Sequence, residues 1–205
     1  MTASTSALYQ PALTRIDAAN AEDPNVETDH GTARPRELLY AERMSARLAL
    51  LLPGASEALR LACRCQHLRR WEIPRASYPT DRRSYLQWRT ALGKFHAETA
   101  GRILTDTGYD DAMVARVQSL IRKERRTTDA ETQALEDVAA LVFLEHYFAP
   151  FAEKHDDEKL VGIVRKTWQK MSTHGHEAAG ALAATLPARL QKIVGAALAA
   201  PAQGS

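Results

Sequence analysis

The stretch Cys63–Arg75, CRCQHLRRWEIPR, puts two cysteines, a histidine and four arginines into thirteen residues. Thiolates and imidazoles are metal ligands, and arginine grips phosphate or carboxylate in bidentate fashion. Residues two apart on a helix point about 200° from each other, so Cys63 and Cys65 cannot share one metal while the segment stays helical. No second cysteine pair follows, which excludes a zinc ribbon. The two thiols are expected as small core hydrophobes. His67, near the end of the same helix, is either a solvated or capping histidine or a metal ligand at the mouth of a helical bundle.

Three further positions carry chemistry. His96 shares an apolar helical face with Leu92, Thr99, Ala100 and Ile103, so it points inward as a hydrogen-bonded core histidine or as a ligand. Glu98 stands four residues from both Lys94 and Arg102, the spacing of a solvated ion-pair ladder. Asp137 lies on the stripe of Ala140, Leu141, Leu144 and Phe148, where a carboxylate is costly unless an arginine or a metal meets it. Glu145 and His146 are expected to pair with neighbouring helices. From Arg60 to Lys94 basic residues far outnumber Glu72 and Asp81, and Trp71, Tyr78, Tyr85 and Trp88 offer stacking surfaces among them. Such arginines either hold an anion or close salt bridges within the fold. The HGH at His174–His176 is expected in an exposed loop.

The elements that position these residues are helices. Apolar residues recur at helical spacing over Glu37–Leu52 (Leu38, Ala41, Met44, Leu48, Leu51), Glu57–Trp71 with Ser56 as cap, and Ser84–Thr107 with Gly108 as stop. The period continues from Asp110 through Ile121, where RKERR provides a cationic end. A further helix opens with Thr128 and Glu131 at capping-box spacing and runs to Ala152 through DVAALVFLEHYF, apolar nearly all round. Asp156–Met171 is the next helix, and STHGHEAAG breaks the pattern before an alanine-rich end. Ahead of them, a short helix is expected over Pro11–Ala21, and DPNVETDHGTARPR reads as a loop. No strand alternates convincingly. The expected fold is all-α: a single-domain helical bundle of about six to eight helices, with an N-terminal segment 1–36, a helical core 37–171 and alanine-rich helices and tail over 172–205.

Composition narrows the function classes. The 205 residues carry a net charge of only +2, with 45% hydrophobic and 25% charged residues, an ordinary globular balance that does not by itself mark a nucleic-acid binder. Two cysteines make no disulfide framework, so a reducing, cytoplasmic setting is expected. The first residues lack a signal-peptide pattern and no apolar run has the length of a membrane span.

ELLYAERMSARL, QHLRRWEIPR, YLQWRTALGKFHAETAGRIL and LEDVAALVFLEHYF resemble the uncharacterised family catalogued as domain of unknown function 4202, over about Ile16–Met171. That family brings no activity with it. The helix order also resembles, more distantly, the HD-domain superfamily of metal-dependent phosphohydrolases. The resemblance implies that His67 stands for the histidine of the His-Asp pair, His96 for the intermediate histidine and Asp137 for the late aspartate. Leu68 replaces the pair's aspartate, Tyr40 stands where the first histidine is expected, and Glu42 offers an oxygen nearby.

Two functions follow as expectations. In one, His67, His96 and Asp137 hold one divalent ion (zinc, manganese or iron), with no organic cofactor. Glu136 is then the general base, and Arg69 and Arg70, with Arg64, bind the phosphate of a small molecule or nucleotide. In the other, the arginine-rich surface binds RNA, a nucleotide or an acidic partner without catalysis, or the alanine-rich end packs on a second subunit of a homo-oligomer.

Overall fold

The computed structural model describes residues 5–199. The chain is all-α apart from one small hairpin, and it divides into two compact units, one ending at Leu135 and the other starting at Glu136. Among the described residues no helix is long and apolar enough to cross a membrane.

The first unit begins with α1 (Tyr9–Ala21), which buries Ala12, Ile16 and Asn20. The segment expected as a loop then forms a two-stranded antiparallel hairpin, β1 (Val26–Asp29) and β2 (Thr32–Pro35), with Val26 opposite Pro35 and Asp29 opposite Thr32. His30 and Gly31 turn it with φ of 46° and 81°, the left-handed pair that a two-residue hairpin demands. Its strands alternate weakly because ion pairs, not apolar contacts, fasten them: Arg43 meets Glu27 and Asp29, and Arg34 meets Glu42.

Helix α2 (Arg36–Leu51) carries Glu42 and Arg43, the helix's side of these pairs, and buries Glu37, Leu39, Ala41, Met44, Leu48 and Leu51. Helix α3 (Glu57–Arg64) is capped by Ser56, whose hydroxyl accepts from the Leu59 N–H at 3.1 Å. It is shorter than the apolar period suggests. It gives way to turns after Arg64 and to short 3-10 segments at Arg70–Glu72 and Arg75–Ser77.

Helix α4 (Arg82–Thr107) starts at an Asp81 cap and stops at Gly108, whose φ of 106° a side chain would resist. Helix α5 (Asp111–Ile121) turns back along it after the Asp110 cap. The two approach closely at Gly101, where a Cβ would fall 2.2 Å from the Gln118 amide nitrogen. Helix α6 (Ala130–Val142) opens on Asp129 rather than on the Thr128–Glu131 box: the Asp129 carboxylate accepts from the N–H groups of Glu131 and Thr132 at 3.0 and 3.2 Å. Arg116 locks the same aspartate.

In the second unit, α6 passes into a widened π turn over Phe143–Tyr147, where the Phe148 N–H reaches back to the Phe143 carbonyl, and then into α7 (Phe148–Ala152). Pro150 supplies the reason: it has no N–H to give the His146 carbonyl, and its ring would strike that carbonyl in a regular turn. The widening brings Phe143 within 5.7 Å of Phe148 and 5.8 Å of Phe151. Helix α8 (Asp157–Trp168) packs Leu160 and Val164 toward α10 (Ala188–Ala199), which buries Leu190, Ile193, Val194 and Ala197. Between them lies α9 (Thr173–Ala183). The HGH is therefore not a loop but the first turn of α9.

Candidate functional site

A polar centre lies inside the first unit where α2, α4 and the turn after α3 meet. Each element is steered there locally. The Asp23 carboxylate accepts from the Glu37 N–H at 3.0 Å, so a side chain from the preceding loop caps α2 and seats Glu37 in its first turn. After α3 the chain turns over Cys65–Leu68, and Arg69 takes a left-handed φ of 54° while its N–H donates to the Asn20 side chain at 3.1 Å. That reversal brings Arg70 back beside His67. From α4, Trp88 and His96 complete the surroundings; the Trp88 indole N–H donates to the Ile73 carbonyl at 2.9 Å.

Hydrogen bonding fixes the state of both imidazoles. Arg70 can only donate, and its Nη1 stands 3.1 Å from His67 Nε2, so that nitrogen accepts and Nδ1 carries the proton. Nδ1 in turn faces Glu37 Oε2 at 3.2 Å. His96 Nδ1 stands 2.7 Å from the Leu68 carbonyl, which can only accept, so its proton sits there and Nε2 is a bare acceptor. His96 is 3% exposed, and Nε2 has no hydrogen-bond partner among the described residues. Tyr40 stacks on His67 with ring centroids 3.9 Å apart, and the two imidazoles lie 6.1 Å apart. Arg70 lies over the Trp88 ring, 4.9 Å from its centroid.

The electrostatics follow from burial and sign. Burial pushes the Glu37 carboxyl up to about 7; Arg70 pulls against the shift and Asp23 adds to it. Burial holds His67 well below its usual range, and the cations Arg70, Lys123, Arg89 and Arg36 push the same way. His96 is pushed down to about 3, first by burial and then by His67. The result is two neutral imidazoles, a carboxyl that titrates near neutrality and a ring of cations. Crowded as it is, His67 keeps 23% of its side-chain surface open.

The other sequence candidates have their own surroundings. Arg64 makes a two-pronged salt bridge to Asp17 at 2.6 and 2.7 Å. Arg69 is held between Glu22 and Glu72. Of the three arginines, Arg70 alone sits in the His67 centre. Glu42 pairs with Arg34. In the second unit, Asp137 is 3% exposed and accepts from the Ser172 N–H at 2.9 Å and the Ser172 hydroxyl at 2.5 Å. It sits against the start of α9 so tightly that a Cβ on Gly175 would fall 2.7 Å from its carboxyl carbon. Glu136, next to it on α6, is half-buried. His176 stacks on Trp168 at 3.9 Å and bonds its carbonyl. Cys63 and Cys65 are fully buried, which pushes their thiols far above the usual range and leaves them inert.

Among the described residues no three His, Cys, Asp or Glu side chains are grouped to hold a metal ion. His96 has the arrangement of a ligand, one nitrogen anchored and the other bare. His67 does not, since Arg70 already occupies its Nε2 side. The ion implied by the HD resemblance thus meets no ready set of three donors among the described residues.

The fold and this centre define an all-α protein with a buried carboxyl–imidazole–guanidinium array. By its sequence the chain belongs to the family described as Domain of unknown function (DUF4202), whose model matches residues 10–194. No curated protein and no solved structure matches it.

Proposed function

We propose that this protein hydrolyses a phosphorylated small molecule or nucleotide at the His67 centre. The observation that carries the reading is the chain Glu37···His67···Arg70, at 3.2 and 3.1 Å, beside the bare Nε2 of His96. Arg70 is the donor for a phosphoryl oxygen, and Arg36, Arg89 and Lys123 make the surrounding potential attractive to an anion. Phosphoryl transfer asks mainly for positioning and charge stabilisation, and little for a strong base. His96 Nε2 accepts a hydrogen bond from the attacking water and orients it. Glu37 in its acid form gives its proton to the leaving oxygen as the P–O bond breaks. The water that attacks phosphorus releases its own proton to solvent. A carboxyl that titrates near 7 suits that role.

The test is phosphate release from a panel of phosphomonoesters and nucleotides, with and without added zinc, manganese or iron. Glu37→Gln and His67→Gln should each slow turnover about 100-fold or more while the fold survives. Turnover that persists in both variants overturns the reading.

A second reading has separate support. Arg82 and Arg83 are exposed on α4, where they line an open groove with Leu86, Gln87, Thr90 and Ala91. Neither makes an ion pair among the described residues. Such a face suits RNA or another polyanion, and binding there should weaken steeply with salt, less steeply in Arg82→Ala and Arg83→Ala.

A further inference from the structure

We propose that the exposed first half of α4 docks an acidic amphipathic helix of a partner protein, with apolar side chains seated on Leu86 and Ala91 and carboxylates on Arg82 and Arg83. The inference rests on the polyanion reading of that face and narrows it to a protein segment. The His67 centre plays no part in it.

Helix stability does not account for the two arginines. They stand in the first turn of α4, directly after the Asp81 cap, at the positive end of the helix where a cation is disfavoured. Asp81 itself is turned onto the Ser84 N–H and hydroxyl at 3.0 and 2.6 Å, and no acid follows it on the helix before Glu98. Beside the arginines an apolar side chain lies open: Leu86 is 54% exposed. Arg82–Leu86–Thr90 and Arg83–Gln87–Ala91 form neighbouring rows at four-residue spacing, so two cations and an apolar strip lie end to end along one groove. The rows cover about 15 Å of helix, enough for a partner helix of roughly three turns. They offer single-stranded RNA its charge but not its stacking, which needs open aromatic rings. The rings nearby carry the protein's own guanidinium groups. Trp88 is 6% exposed, with Arg70 and Arg75 at 4.9 and 5.8 Å from its centroid, and Arg75 also lies 5.8 Å from that of Tyr85. Next to the free arginines the surface is aliphatic. An amphipathic acidic helix supplies both complements in one element, with leucines and carboxylates three and four residues apart.

Fluorescence anisotropy of the full chain tests this with three labelled probes: a short peptide of leucine, glutamate and alanine at amphipathic helical spacing, a glutamate homopolymer of equal length, and an oligouridine. The amphipathic peptide should bind most tightly, in the micromolar range of a small transient contact. Replacing both Arg82 and Arg83 by Ala should weaken it about tenfold and flatten its salt dependence. Leu86→Ser should also weaken it about tenfold, the cost of one lost leucine contact, and leave the weaker homopolymer binding unchanged. All three positions are exposed, so both variants should keep the wild-type circular dichroism. Peptide binding that neither variant weakens, a homopolymer that binds as tightly as the peptide, or an oligouridine that binds more tightly overturns this inference and leaves the polyanion reading standing. Absence of binding by all three probes at millimolar concentration overturns both.

Discussion

Two carboxylates sit on apolar helical stripes in this chain, and their fates are opposite. Asp137 on α6 receives the hydroxyl and the N–H of Ser172 and lies against Gly175. Glu37 on α2 is as deeply placed, yet it faces the edge of His67, and burial pushes its carboxyl up to about 7. The sequence singles out Asp137 because it stands on the apolar stripe of a hydrophobic helix. The same argument applied to Glu37 points to the other site. Burial of an acid shows only that something must answer it. What answers it decides whether the acid holds the fold together or stays poised to exchange a proton.

The comparison breaks most visibly at Asp137. Asp137→Ala removes two hydrogen bonds to a carboxylate and strands Ser172 at the start of α9. It should cost about 3–5 kcal/mol, with each such bond worth about 1.5–3 kcal/mol. Urea unfolding followed by circular dichroism measures it. A loss below about 1 kcal/mol would mean that Asp137 is not structural and would reopen the metal-ligand role.

Glu37→Gln should do the reverse. A carboxyl whose pKa rises on folding favours the folded state in acid. That advantage is lost between the unfolded value near 4.5 and the folded value of about 7. Above pH 7 the ionised side chain costs the fold about 3 kcal/mol at most, and the amide escapes that cost. The variant should match wild type near pH 4 and exceed it at pH 8.5. His96 acts with the opposite sign. Its lowered pKa, about 3, means stability that is full above pH 6.5 and drains away as pH falls toward 3. Replacing His96 by Gln should flatten the acid limb alone. A third and smaller effect is Ser172→Ala, which keeps the backbone donor to Asp137 and loses the hydroxyl, for about 1–2 kcal/mol.

How much of this was legible in the sequence depends on whether the signal was local. Ser56, Gly108 and Asp110 announce their caps because capping chemistry is read within one turn. Helical period places α2, α4 and α5, and the inward direction of His96. The hairpin escapes notice because Glu27 and Asp29 face Arg43 rather than an apolar layer, so alternation has nothing to mark; His30-Gly31 was the available signal. At the start of α6, Asp129 outcompetes Thr128 because Arg116 supports it from α5. The end of α3 at Arg64 depends on Asn20 holding the Arg69 N–H, a contact 49 residues away in sequence that no local pattern contains. For the centre, His67, His96 and Arg70 stand out by residue type. Glu37 was hidden in plain spacing: Glu37, Ala41, Met44, Leu48 and Leu51 form the buried stripe, and choosing Leu38 to begin it turned the acid outward. Leu68 and Tyr40, departures from the HD pattern, contribute a carbonyl to His96 and a stacked ring to His67.

The finest test of the contrast is Asp23→Asn. Asp23 caps α2 through the Glu37 N–H and also adds a negative charge beside the Glu37 carboxyl. An asparagine oxygen can still accept from the Glu37 N–H, so the cap survives, but its NH2 group then faces the Asn25 N–H and side-chain amide that the other Asp23 oxygen accepts from at 2.9 and 2.8 Å, and stability should fall by about 1–2 kcal/mol. The charge does not survive, so the Glu37 carboxyl should titrate lower than in wild type. Carbon-detected NMR of the Glu37 side chain reads that movement directly. Asp137, which takes the Ser172 N–H and hydroxyl in its own unit, should show no change in the same spectra. A fixed Glu37 midpoint in Asp23→Asn would mean that burial alone sets it. The tuning of the centre would then lie in how α2 is packed and not in which charges surround it.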